Sequence, residues 1–210
     1  MKHPFALRTQ FLVLFVAGLT VASCVQAQES IPLDEARKIA LKLASTPTAS
    51  SDQPFAVDVN ADKPAGLKGG EAGLILLPDK RLTADLLANA GQTITPVAQL
   101  WMYRLSLASG GKSVDSGRVR MVTVSDGDKT RDVQLYLLGV VKSEQGGFEL
   151  VIFGKGSEPV LRVPLTKVSA EAPENPIAAS GRRTGDDSAT LTLKLTGQFA
   201  AEIGVVKPAD

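Results

Sequence analysis

Apolar and polar residues alternate with a period of two along much of the chain after Thr95, and the clearest case lies near the C-terminus. In ATLTLKLTG, Ala189, Leu191, Leu193 and Leu195 alternate with Thr190, Thr192, Lys194 and Thr196. Successive strand side chains point to opposite faces. The pattern therefore predicts a strand with its leucines inward and its threonines and lysine in water. FAAEIGVV, after Gly197-Gln198, returns the chain and completes a terminal hairpin with Phe199 inward. Upstream, VAQLWMYRLSL sets Val97, Trp101, Tyr103, Leu105 and Leu107 on one face and Ala98, Leu100 and Met102 on the other. A strand apolar on both faces belongs inside a sheet that is covered on both sides. RVRMVTV, DVQLYLLGVV, FELVIF and PVLRVPL follow, broken by SDGDKTR, SEQGG and GKGSE. These breaks carry turn residues, and such short connections make neighbouring strands antiparallel.

Before Thr95 the pattern is mixed. IPLDEARKIALKLAS has helical spacing, with Leu33, Ala36, Ile39, Ala40 and Leu43 on one face. Pro32 suits a first turn, Asp34 and Glu35 complement the helix dipole, and Asp34 can pair with Lys38 one turn on. STPTASSDQP reads as a linker. FAVDV alternates like a strand, and GLILL at 73–77 is a short apolar run ended by Pro78. Thr83 is placed to cap a short helix, ADLLANA, that Gly91 stops. Residues 170–188, AEAPENPIAASGRRTGDDS, are polar and hold two prolines. They are predicted to form a long loop, a kind of segment that is often functional.

These elements predict a mainly β protein: an antiparallel β-sandwich, with a β-barrel as the alternative, carrying an N-terminal helix and one further short helix. The helix and linker occupy 28–54, and the β domain occupies 55–210.

The N-terminus has a different character. Lys2 and Arg8 precede the apolar run FLVLFVAGLTVA with no acidic residue between, and small residues follow. The run is short of the roughly 20 residues that span a bilayer. Positive start, apolar run and small-residue end resemble a bacterial secretory signal peptide over residues 1–27. Val25-Gln26-Ala27 suits a cut after Ala27. Val21-Ala22-Ser23-Cys24 resembles the lipobox of bacterial lipoproteins, and that resemblance implies a lipid attached at Cys24. The helix opening at Pro32 leaves little room for a tether, which favours soluble release into the periplasm or outside the cell. Anchoring through Cys24 is the alternative. No transmembrane segment is expected in the mature form.

Composition then narrows the chemistry. His3 is the single histidine and Cys24 the single cysteine. A chain cut after Ala27 has neither, and one cut before Cys24 has its sulfur blocked. Ser-His-Asp and Cys-His catalysis, disulfides, and zinc, copper or iron sites all lose their usual parts. No cofactor is expected. Lys plus Arg number 23 against 22 Asp plus Glu, so no strong field invites nucleic acid.

The remaining motifs have ordinary readings. SLASGGKS, 106–113, has Gly111, Lys112 and Ser113 of a phosphate-binding loop, but Ser106 replaces the first glycine and a strand pattern follows. A hairpin explains it better. SDGDKTRD clusters Asp126, Asp128 and Asp132, yet lacks the glycine and distal glutamate of a calcium loop, and Asp-Gly favours a hairpin turn. The glycines of GLKGGEAG fit a turn or bulge. Trp101 and Tyr103 form either an aromatic platform or core, with their inward parity favouring core. In GRRTGDD, Arg182 and Arg183 are the candidates for surface recognition. The resulting expectation is an exported, non-catalytic envelope module that binds or scaffolds an envelope protein or polysaccharide, with residues 170–188 as its contact region. The alternative is a carboxylate-dependent glycoside hydrolase, using two carboxylates in one cleft beside exposed aromatics, or another carbohydrate-active protein.

Overall fold

Thirteen strands and two α-helices make up the described part of the computed structural model, residues 28–48, 52–126, 129–169 and 174–208. The signal region with Cys24 lies outside the described residues, as do Gly127 and Asp128. The chain runs β1 (Glu29–Ser30), α1 (Leu33–Ala44), β2 (Ala65–Gly69), β3 (Ala72–Pro78), α2 (Ala84–Ala88), β4 (Thr95–Tyr103), β5 (Ser106–Ser109) and β6 (Lys112–Ser113). After a 3-10 turn at Ser116–Arg118 come β7 (Arg120–Asp126), β8 (Lys129–Lys142), β9 (Phe148–Phe153), β10 (Leu161–Lys167), β11 (Ile177–Arg183), β12 (Ser188–Leu195) and β13 (Phe199–Val206).

All pairings are antiparallel, and they join the strands into one sheet in the order β1-β2-β3-β4-β8-β9-β10-β13-β12-β11. The sheet curls into a half-barrel. Its last strand, β11, comes beside β1 and β2. At Gly181 of β11 a Cβ would overlap the Gln28 side chain, so glycine is what lets the two ends of the sheet approach. β8 is long enough for β7 and β9 to share one of its edges in succession, β7 against Lys129–Leu135 and β9 against Leu137–Lys142.

The concave face is filled by side chains from both halves. Leu100, Tyr136, Leu138 and Leu150 meet Leu191, Leu193, Leu195 and Phe199, all buried. The inward parity expected of the terminal hairpin therefore holds. The convex face is covered in two patches. Helix α1 lies over Ile75, Leu77, Trp101 and Leu135, while Phe55, Val57 and Ile94 cover Leu137, Val141, Val151 and Phe153. This double cover explains why β4 and β8 are apolar on both faces.

Helix α1 has the acidic first turn and basic last turn its sequence implies. Ala36, Ala40 and Leu43 are buried, and Ile39 packs partly beneath them. Leu33, expected on the buried face, is 40% exposed, and Leu41 is 60% exposed. The helix is buried through a narrow, alanine-rich stripe that lets it lie close to the sheet. Asp34 pairs with Arg37 at 3.5 Å rather than with Lys38. The linker after α1 is tied down by Asp52, which accepts from the Arg120 guanidinium at 2.8 Å and from the Gly156 N–H at 3.1 Å. Thr83 caps α2 as its position predicts, its hydroxyl accepting from the Leu86 N–H.

Further expectations are corrected. FAVDV, 55–59, is not a strand and contributes only an isolated bridge from Val59 to Asp79. Residues 170–188 are not one long loop, because Ile177–Arg183 is strand β11, paired with β12 from Ile177↔Leu195 to Arg183↔Ala189. Its inward positions include Ala179 and Gly181, too small to show the alternation. The run Val97–Leu107 is not one strand, because Arg104 has φ 53° and ends β4. Leu105 and Leu107 then join the concave core, on the side opposite Trp101. A register shift between Pro96 and Ala98 likewise places Val97 with Ala98 in that core. Among the described residues, no helix is long and apolar enough to cross a membrane.

Candidate functional site

Four adjacent strands, β3-β4-β8-β7, set the convex surface beneath α1. Ile75 stands opposite Trp101, Trp101 opposite Leu135, Val122 opposite Val133, and Val124 opposite Arg131. Period-two geometry brings these side chains to one face. Helix α1 covers only part of it. What remains open is a groove of about 500 Å³ floored by Ile75, Trp101, Val124 and Val133 and walled by Ile31, Ile39 and Leu43. That size is typical of small-molecule sites, which run to about 300–1,000 Å³.

The polar groups of the groove are few and of one sign. Lys38, Lys42 and Arg131 line it, and among the described residues no carboxylate does. Tyr103 stands at its edge, with the guanidinium carbons of Arg104 and Arg131 each 5.5 Å from its ring centroid. Such cation–π contacts hold an arginine in place while leaving it charged. Trp101 donates its indole N–H to Gln99 Oε1 at 3.0 Å, so the buried polar ends of both side chains are satisfied. The nearby carboxylates on α1 are engaged away from the groove, Asp34 by Arg37 and Glu35 by Lys68.

A second, larger cleft lies between the β2–β3 turn and the β11–β12 turn. Glu29, Glu71, Asp186 and Asp187 line it together with Lys68, Arg104, Arg183 and Lys207. Arg104 pairs with Glu71, and Arg183 with Asp186 at 3.7 Å. Its charges therefore balance in number, and among the described residues no aromatic lines it.

Known proteins give no guide to either site. No family model matches the chain, and no curated protein or solved structure is a match to it. The groove and the cleft must be read from their own chemistry.

Arg182 and Arg183 do not come together as a recognition pair. They are consecutive residues of β11, so their side chains leave opposite faces. Arg183 lines the second cleft, but its guanidinium is spent on its own turn, donating to the Gly185 and Asp186 carbonyls at 2.8 Å each. Arg182 lines neither site. The phosphate-loop lookalike is the β5–β6 hairpin, with Gly110 and Gly111 at φ 60° and 79° at its tip. That left-handed geometry accounts for both glycines. The acidic stretch joins β7 to β8, pairing Asp126 with Lys129, and Asp132 accepts from the Thr123 hydroxyl at 2.6 Å. Among the described residues, no three His, Cys, Asp or Glu side chains are grouped to hold a metal.

Two buried titratable groups belong to the framework. Burial works against ionising Asp79, but hydrogen bonds from the Arg81 side chain, the Arg81 N–H and the Asp58 N–H outweigh it and hold the carboxyl below its ordinary value. Tyr136 donates to Gln134 Oε1 at 2.7 Å. Burial pushes its hydroxyl up to about 12, opposed by contacts with Ser106 and Leu107.

Sequence reasoning singled out Trp101 and Tyr103 as platform or core. Trp101 is a buried floor and Tyr103 a half-buried rim. The cations Lys38 and Arg131 were missed. They lie 93 positions apart in the chain, with only the helix-on-sheet contact to unite them.

Proposed function

We propose that this chain is an exported, non-catalytic binding protein of the cell envelope, and that the groove under α1 is its binding site. The groove carries the reading: an apolar recess of ligand size, with a few polar groups at its edge, stays open on a face that is otherwise covered. Export rests on the signal-like pattern of residues 1–27 and on the small residues before Gln28. Some features of a glycosidase are present in the second cleft, where four carboxylates gather, but that cleft offers no aromatic surface for a sugar. The binding reading accounts for more of the convex face.

Trp101 is the only tryptophan in the chain, so its emission reports the groove directly. Titration with the neutral apolar dye N-phenyl-1-naphthylamine should give saturable binding of one dye per chain, with energy transfer from Trp101. Ile39→Gln should weaken that binding while the protein still melts cooperatively. Absence of saturable binding to the folded wild type would overturn the assignment. Mass spectrometry of protein made in a bacterial host tests export separately. A start at Gln28 means soluble release, a lipid-modified Cys24 means anchoring, and intact Met1 rejects export.

A further inference from the structure

The charge distribution around the groove points to its occupant. We infer that it takes a single-chain amphiphile with an anionic head, a fatty carboxylate held as a monomer. This rests on the groove being a binding site and adds the chemical class of what fills it.

The tail follows from the floor. Ile75, Trp101 and Val133 lie on three successive strands, and Val124 lies on the fourth. Neighbouring strands are about 4.8 Å apart, so the floor crosses roughly 14 Å, about the reach of a chain of ten methylenes with C–C bonds near 1.5 Å. A recess of about 500 Å³ suits one such chain better than a two-chain lipid or a folded partner. The head follows from the edge. Among the described residues, every charged side chain lining the groove is cationic, while in the second cleft acids and bases balance. Arg131 is held against Tyr103, and Asp34, the carboxylate one turn before Lys38, is paired with Arg37. Among the described lining residues none is acidic, which leaves Lys38 and Arg131 to meet an incoming anion. A neutral amphiphile would leave this one-signed rim unused, and a cationic one would be repelled by it.

The test compares dodecanoate with dodecan-1-ol, both below micelle formation, using Trp101 emission. Dodecanoate should bind at least about tenfold more tightly at low ionic strength, and the gap should narrow with salt because the rim is open to solvent. Each methylene removed from the carboxylate should weaken binding about fourfold. Lys38→Gln with Arg131→Gln should remove the preference for dodecanoate over dodecanol while the protein still melts cooperatively. Equal affinity of wild type for acid and alcohol overturns the anion assignment and leaves the groove reading intact. Failure of both to bind overturns both. Sedimentation with phosphatidylglycerol vesicles but no binding of monomeric dodecanoate assigns the face to a membrane surface and overturns the occupant named here.

Discussion

Replacing Gly154 by alanine tests whether the end-to-end junction of β7 and β9 along β8 is as tight as the geometry states. Gly154 is buried and follows β9 directly. The next residue, Lys155, donates its N–H to the Arg118 carbonyl at 2.7 Å, which stitches the end of β9 to the turn before β7. A Cβ at Gly154 would fall inside contact distance of the Arg118 carbonyl oxygen and at 3.2 Å from its carbon, with Val119 Cα at 3.4 Å. These are backbone atoms and cannot rotate away. Overpacking of this kind costs about 1–3 kcal/mol. Alanine also restricts the unfolded chain, which offsets about 0.4–1 kcal/mol. The net expectation is a loss of about 1–2 kcal/mol. With an m-value near 2 kcal/mol/M, the urea midpoint should fall by roughly 0.5–1 M with m unchanged. Gly91→Ala is the control, because nothing lies within 4 Å of a Cβ there and the residue is exposed. Its midpoint should stay level or rise slightly. If Gly154→Ala matched Gly91→Ala, the two strands would not abut as described, and the junction would be loose enough to admit a methyl group.

Two further outcomes follow from the core. Leu193→Ala should cost about 2–5 kcal/mol in urea unfolding, and Lys194→Ala, next to it on the solvent face, no more than about 0.5 kcal/mol; similar losses at both would refute the parity of β12. Tyr136 ionises near its ordinary value of about 10 when unfolded and near 12 when folded, so between these the native state holds a proton that the unfolded chain has lost. That contribution is intact below pH 10 and disappears by pH 12, a loss of roughly 2–3 kcal/mol that Tyr136→Phe should remove from the alkaline limb of a stability–pH curve.

The β class and the terminal hairpin were readable because Leu191, Leu193 and Leu195 are large and alternate with residues that water tolerates. Helix α1 was readable from its proline, its charges and its spacing, but not the depth of each face, since Leu33 and Leu41 look as apolar in sequence as Leu43. β11 was hidden for the opposite reason. Ala179 and Gly181 face inward where the closing sheet leaves no room for more, and small residues in a polar context read as loop. The break at Arg104 left no local sign, because a non-glycine residue at positive φ is held there by the strands on either side. Of the groove, sequence showed the two aromatics but not their setting. Its floor, wall and cations come from residues 31 to 133, joined only when the helix docks on four strands. Arg182 and Arg183 read as loop in the sequence, and the strand sends them apart.

The last strand of the chain is also a keystone. β13 pairs with β12 along its whole length, with β10 at Thr166↔Ala200 and Lys167↔Phe199, and with β5 at Val205↔Leu107 and Val206↔Ser106. A growing polypeptide emerges from the ribosome N-terminus first, at about 5–20 residues per second. Until residues 199–206 arrive, β12 has no partner that joins it to β10 and β5, so Leu191, Leu193 and Leu195 are not fixed opposite Leu100, Leu138 and Leu150, and the long-range pairings that close the sheet cannot form. The order of synthesis thus delays commitment to the native state until β13 has been made. For a chain that must be threaded unfolded through a membrane, as proposed above, that delay keeps the segments before β13 fit to be threaded.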